Sequence, residues 1–314
     1  MRRGEYVEKQ AHAGKWILWY LEAIIYDGFV GFMRLLPIEK ASDLGGALFR
    51  VLGPMTSTHK TVMRNLELCF PDLSLRERKS LAIKQWEQTG RTTAEFPIMD
   101  RIKSQSWRYE IKGAENLISY KEQNRPFIVA SMHMANWELV PIAVISLGLP
   151  FLVTYRAANN PLVDKKIRDG RARYGVSLFG AKGSDGSRDM IRALESGAGV
   201  GLMNDQKFNR GLRTVFFGHI AETAPGPSKL AKRFDTDLIP INVKRLKGVR
   251  FEITIHNPIT PYKYEGRDGL FETVQELTKW VEDEVKSKPE DWFWVHKRWP
   301  NEIYKPVSQP RVGD

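Results

Sequence analysis

From about residue 107 the chain alternates short apolar runs with amphipathic stretches, and this alternation restricts its folds more than any other feature. The apolar runs are Phe127–Ser131, Phe151–Tyr155, Val176–Phe179, Val200–Met203, Leu238–Val243 and Arg250–His256. Helical patterns fall between many of them, near 138–147, 161–174, 186–196 and 226–234, with a long one near 269–287. Strands that alternate with helices predict a largely parallel sheet covered on both faces. In such sheets, sites form at the carboxyl ends of the strands. His133 follows the first run closely, and Asp205 follows Val200–Met203.

The segment His133-Met-Ala-Asn-Trp-Glu138 places an imidazole and a carboxylate five residues apart at a strand end. A carboxylate can hold an imidazole in one tautomer, and the imidazole can then take a proton from a hydroxyl. In one straight helix these two positions lie about 140° apart and do not meet. They meet if His133 sits on the strand-to-helix turn and Glu138 in the first helical turn. The expectation is that Glu138 orients His133. Trp137 is expected to pack under the motif.

The N-terminal third reads differently. Trp16 to Leu36 is an apolar stretch of 21 residues, about 30 Å as a helix and long enough to cross a bilayer. Glu22, Asp27 and Arg34 interrupt it, and a charge near the centre of a span costs roughly 2.5–3.5 kcal/mol. Trp16, Trp19 and Tyr20 cluster at one end as interfacial anchors do. Two readings stay open, a tilted single span and a helix lying in the interface. No small-residue cleavage site follows, which argues against a removed signal peptide. Residues 40 to 105 read as helical, with Ser74-Leu-Arg-Glu77 as a capping box. The expected organisation is an anchor helix over 1–37, a helical segment over 38–106, a catalytic α/β domain over 107–305 and a tail over 306–314.

Composition removes several function classes. The lone cysteine, Cys69, excludes an internal disulfide and a multi-cysteine zinc site. The six histidines are scattered and no H-E-x-x-H is present, so no metal is expected. There is no G-x-S-x-G elbow and no Walker A loop. Gly197-Ala-Gly-Val-Gly201 lacks the third glycine of a dinucleotide fingerprint and reads as a turn into a strand, so no cofactor is expected. Net charge is +11, and the basic excess concentrates between Arg156 and Arg192 and between Lys207 and Arg250. That suits an anionic partner, either lipid headgroups or an acidic carrier protein. Aromatic residues are not interleaved as in common RNA-binding modules, so nucleic acid ranks last.

Several segments stand in one order: His133–Glu138, Tyr155-Arg-Ala-Ala-Asn-Asn-Pro-Leu-Val-Asp164, Gly170-Arg-Ala-Arg173, Asn204-Asp-Gln206, Val215-Phe-Phe-Gly218, Ala224-Pro-Gly226 and Trp294-Val-His-Lys-Arg298. Together they resemble the late acyltransferases of lipid A biosynthesis, a branch of the lysophospholipid acyltransferase superfamily. The resemblance implies a glycerol-3-phosphate acyltransferase-like fold with an N-terminal membrane helix. It implies fatty acyl transfer, usually from acyl carrier protein, to a hydroxyl of a lipid A precursor at the cytoplasmic face of the inner membrane. His133 and Glu138 match the family's H-x-x-x-x-D/E motif, Arg171 its essential arginine, with Arg173 as the near alternative, and Asp205 its acidic residue before Gln or His. Arg156, Arg173 and Gln206 are expected to bind substrate. Where many members have Pro after Tyr-Arg, this chain has Ala157.

An acyl thioester is already activated, so no acyl-enzyme is required, which agrees with the missing serine or cysteine nucleophile. Arg171 or backbone N–H groups after His133 are the expected oxyanion donors. Asp205 is expected to position an arginine or the acceptor headgroup. Trp294, His296 and Arg298 read as a structural clasp in preference to a phosphate site. Two alternatives remain: a same-fold enzyme with another glycolipid or lysophospholipid acceptor, and a non-catalytic protein that holds anionic lipid.

Overall fold

The structure is a computed structural model and describes residues 13–178, 184–261 and 269–305. The expected tail over 306–314, the first twelve residues of the expected anchor segment and the end of the Val176–Phe179 run lie outside them.

Helices α1 (Ala13–Leu35), α2 (Ile38–Leu52), α3 (Thr58–Cys69), α4 (Leu75–Glu95) and α5 (Met99–Lys103) come first. The capping box starts α4 as expected: Glu77 N donates to Ser74 Oγ at 3.3 Å and Ser74 N to Glu77 Oε2 at 2.8 Å. α2 and α4 cross at glycines, and a Cβ on Gly45 would lie 2.4 Å from the Gly90 carbonyl.

There follow β1 (Tyr109–Lys112), α6 (Glu115–Glu122), β2 (Phe127–Ser131), α7 (Leu139–Ser146), β3 (Phe151–Val153), α8 (Pro161–Arg173), β4 (Ser177–Leu178), α9 (Ser184–Glu195) and β5 (Gly199–Met203). The chain continues through β6 (Leu212–Phe216), β7 (His219–Thr223), α10 (Gly226–Arg233), β8 (Leu238–Arg245), β9 (Phe251–Ile255) and α11 (Gly269–Ser287). Seven strands form one sheet in the order β1-β9-β8-β2-β5-β3-β4. Every pair is parallel except β8–β9. This is the expected mixed, largely parallel sheet flanked by helices.

β2 is buried at every residue, because both its faces are covered. Phe127 and Val129 face a core that includes Leu139, Ile142 and Ala143 of α7. Ile128 and Ala130 face a second core that includes Leu194 of α9, Ala231 of α10 and Leu277 of α11. Such two-sided burial explains why the sequence shows continuous apolar runs in place of alternation. The helical lead-in is not separate from the sheet: Ile38, Ala41, Ala94 and Ile98 share the core of Phe127, Val129 and Ile241.

The glycine-rich segment is indeed a turn into a strand. Gly197 has φ +81, and Cβ atoms on Gly199 and Gly201 would lie 2.1 and 2.6 Å from the rings of Phe127 and Phe151. Helix α6 and three strands went unforeseen. β1 is a four-residue edge strand. β6 and β7 form a hairpin whose two-residue turn, Phe217-Gly218, has positive φ at both positions. A phenylalanine is an unusual occupant there. Its N–H donates to Glu282 Oε2 at 2.6 Å, and its ring packs on Phe70.

The sheet order sets the place of the site. From β2 the chain crosses to β3 on one side, and from β5 it returns to β8 on the other. The loops after these adjacent parallel strands diverge, which opens a crevice at their carboxyl ends.

Candidate active site

Ser131 pairs with Met203 in the β2–β5 register, so the residues two positions further on, His133 and Asp205, arrive side by side. Asp205 is fully buried and accepts three hydrogen bonds. His133 Nδ1 lies 2.8 Å from Oδ1, and Oδ2 accepts from His133 N at 2.9 Å and Trp292 Nε1 at 2.9 Å. Burial alone would raise the pKa of this carboxyl. Attraction to protonated His133 and the hydrogen bonds from His133 outweigh burial and hold the carboxyl well below the usual carboxylate range.

An ionised carboxylate has no proton to give, so the Nδ1–Asp205 contact requires the proton on Nδ1. In the neutral imidazole, Nε2 then carries the lone pair. The imidazole is therefore fixed in the tautomer that a general base needs, with its side chain 19% exposed.

The expectation that Glu138 orients His133 is corrected here. Glu138 is buried at the start of α7, and its carboxylate faces α8. It accepts from Arg171 Nε at 2.9 Å on Oε2 and from Arg171 Nη2 on Oε1, a bidentate pair. Tyr174 Oη donates to it at 2.6 Å. Burial pushes the Tyr174 phenol upward, and Glu138 adds to that. Burial opposes the Arg171 charge, but Glu138 outweighs it and raises the guanidinium pKa. The expected role of Asp205, positioning an arginine, falls to Glu138, and the role expected of Glu138 falls to Asp205.

The loop between β2 and α7 is pinned on several sides. Ala135 has φ +46, a conformation that costs a non-glycine residue about 1–2 kcal/mol. Its N–H donates to Asp291 O at 2.7 Å and its carbonyl accepts from Thr92 Oγ1 at 3.0 Å. Asn136, fully buried, donates to Glu95 Oε2 at 2.8 Å, and Glu95 is paired bidentately with Arg245. Phe293 N donates to His133 O at 3.0 Å. Trp137 sets its ring edge-on to His133, Phe96 and Phe293, in line with its expected packing role.

Trp294, His296 and Arg298 form the clasp. Asn65 Nδ2 donates to the carbonyls of Trp294 and His296, and Arg298 donates to Glu222 O and Thr223 Oγ1. Burial drives the His296 pKa down to about 4, against the pull of Asp205, so this ring is neutral behind Asp205.

Arg156 and Arg173 line a cavity of about 500 Å³ beside the Glu138–Arg171 pair. Gln206 lies exposed beside Asp205. Sequence reasoning missed Trp292 and Tyr174 as partners of the two carboxylates. Trp292 stands 87 positions from Asp205, and no local pattern marks it. No group of three or more His, Cys, Asp or Glu side chains suited to a metal ion occurs among the described residues.

The fold is α/β, and the site sets an imidazole paired with a buried carboxylate near a cavity with cationic and apolar walls. The family model described as bacterial lipid A biosynthesis acyltransferase matches residues 8–301, and the chain belongs to that family. It is an O-acyltransferase. Among curated proteins it is 28% identical over 298 residues to the lipid A biosynthesis lauroyltransferase of Escherichia coli K12, covering 91% of this chain and 92% of that one. It is 24% identical over 310 residues to the lipid A biosynthesis palmitoleoyltransferase of the same organism, covering 95% and 94%. Among solved structures, the 1-acyl-sn-glycerophosphate acyltransferase PlsC of Thermotoga maritima matches with a TM-score of 0.39 at 11% identity, over 78% of this chain and 99% of that one.

Proposed function

We propose that the enzyme moves a fatty acyl group from an acyl thioester, carried by acyl carrier protein, to a hydroxyl of a lipid A precursor at the cytoplasmic face of the inner membrane. The observation that carries this reading is the Nδ1–Asp205 contact, which leaves Nε2 of His133 as the free base. The family and the names of its curated relatives support the lipid A acceptor.

An unionised hydroxyl is a poor nucleophile. Nε2 takes its proton as the oxygen attacks the thioester carbonyl. Asp205 stabilises the imidazolium that forms. The tetrahedral intermediate places negative charge on the former carbonyl oxygen. The N–H groups of Leu139 and Val140 at the start of α7 already donate to Asn136 O and Trp137 O, so the donors for that charge are expected from the Asn136–Glu138 turn that precedes the helix. Collapse breaks the carbon–sulfur bond, and the imidazolium returns its proton to the thiolate. No acyl-enzyme is needed. Cys69 suits this account, because burial raises its thiol pKa and leaves it un-ionised. Glu138 keeps Arg171 extended into the cavity, where its charge faces an anionic substrate group.

The test is turnover of the purified, full-length protein with an acyl thioester and a lipid acceptor. His133→Ala is expected to lower kcat by about 10²–10⁴-fold with vesicle binding intact. Unchanged turnover in that variant would remove the base from this account.

A further inference from the structure

The cavity beside Arg171 lies between α1 and α8. Helix α1 is apolar enough to be a membrane segment, yet its buried positions Trp19, Ala23 and Met33, with half-buried Tyr26 and Val30, recur at helical spacing along one stripe. That stripe is docked on the catalytic domain by polar contacts. Asn160 Nδ2 donates to Trp19 O at 2.9 Å and to Glu22 Oε2 at 2.8 Å. Lys166 pairs with Asp27 at 2.8 Å and Arg34 with Asp100 at 2.8 Å. A bilayer crossing by α1 would draw charged α8 into hydrocarbon, at several times the roughly 2.5–3.5 kcal/mol of a single charge. These contacts favour an α1 that lies along a membrane surface over one that crosses it. Its outer face, with Ile17, Ile24 and Ile25, is open, and its inner face roofs the cavity.

Tyr26, Phe29 and Val30 of α1, with Phe96, make the apolar side of the cavity. On the other side Asp27, Glu138, Asp164 and Asp169 are all spent on lysine or arginine partners. Arg156 and Arg173 have no acidic partner within ion-pair distance among the described residues, which leaves the cavity a surplus of unpaired positive charge. Gly170 also lines it. Glycine inside a helix costs about 1 kcal/mol relative to alanine, yet a Cβ there would meet only the Arg173 guanidinium, at 3.5 Å. Protein packing does not demand this glycine, whereas a ligand lying against the backbone would. Phe96 also touches Trp137, which touches His133, so an aromatic strip joins the cavity to the base.

We propose that α1 is a wall of the acceptor site, where Phe29 and Val30 contact the hydrocarbon of a phosphorylated lipid whose anionic group meets Arg156 and Arg173. The proposal rests on the acyl-transfer reading above and goes further: the membrane helix selects the acceptor. The lipid enters sideways from the bilayer, between α1 and α8.

The experiment uses the full-length enzyme with separate measurements of transfer kinetics and of acceptor binding in vesicles. Phe29→Trp and Val30→Trp fill the cavity. Each is expected to raise KM for the phosphorylated acceptor about 10-fold and to weaken its binding equally, with donor KM and vesicle association unchanged. Ile25→Trp, on the outer face of α1 away from the cavity, is expected to keep the wild-type KM. Arg173→Ala is expected to lose affinity for the phosphorylated acceptor but not for a dephosphorylated one. A shift in donor KM or donor chain-length preference in the tryptophan variants would overturn the proposal by seating the donor chain there, and unchanged kinetics in both would overturn it outright. A wild-type protein that binds acceptor but forms no ester would refute the reaction and leave the wall standing.

Discussion

Asp205 and Glu138 are both buried carboxylates that flank the His133 loop, and their contacts differ in kind. Asp205 spends its contacts on an imidazole and an indole: two donors come from His133 and one from Trp292. Glu138 spends every contact on anchoring a cation and a phenol of α8 and its C-terminal edge. The difference comes from the backbone. Asp205 follows a strand in register with β2, so it faces the imidazole. Glu138 sits at the start of a helix that has already turned toward α8. Proximity in sequence is a poor guide to partnership when a strand-to-helix turn intervenes.

The sharpest way to break this comparison is Asp205→Asn. The amide cannot enforce the Nδ1–H tautomer, and kcat is expected to fall by about 10³–10⁴-fold with little change in melting temperature or acceptor KM. Glu138→Gln should differ in kind. It leaves Arg171 half-buried without its counter-charge, and loss of one partner of such a pair costs about 3–5 kcal/mol at full burial. A lowered melting temperature together with a raised acceptor KM is expected, and a fall in kcat alone would return the orienting role to Glu138. The smallest effect concerns His296 behind Asp205. Its pKa is about 4 in the fold and about 6.5 unfolded. Between those values the unfolded chain takes up a proton that the folded chain refuses, so stability is full above pH 6.5 and is lost as pH falls toward 4. Denaturant titrations at pH 7.5 and 5 should show that loss in wild type and a flatter response in His296→Asn.

The central sheet was legible because β2, and most of β5 and β8, are buried on both faces, which demands long apolar runs. The hairpin was not, because Phe217-Gly218 is an atypical turn pair that tertiary packing holds in place. His133, Glu138, Arg171 and Asp205 were all visible as chemistry-bearing residues. Their pairing was not, since the His133–Asp205 contact spans 72 positions and depends on strand register. Trp292 was invisible for the same reason. The N-terminal helix declared its apolar character, while its docked stripe required the positions of Asn160, Lys166 and Asp100.

The seam between the His133 loop and residues 291–294 has a consequence for biosynthesis. Asp291, Trp292 and Phe293 each hold part of that loop or of Asp205. A polypeptide still emerging from the ribosome lacks them, so its imidazole has neither its full scaffold nor a fixed aspartate. The His133 loop and Asp205 therefore take their final form only once residues 291–293 have docked on them.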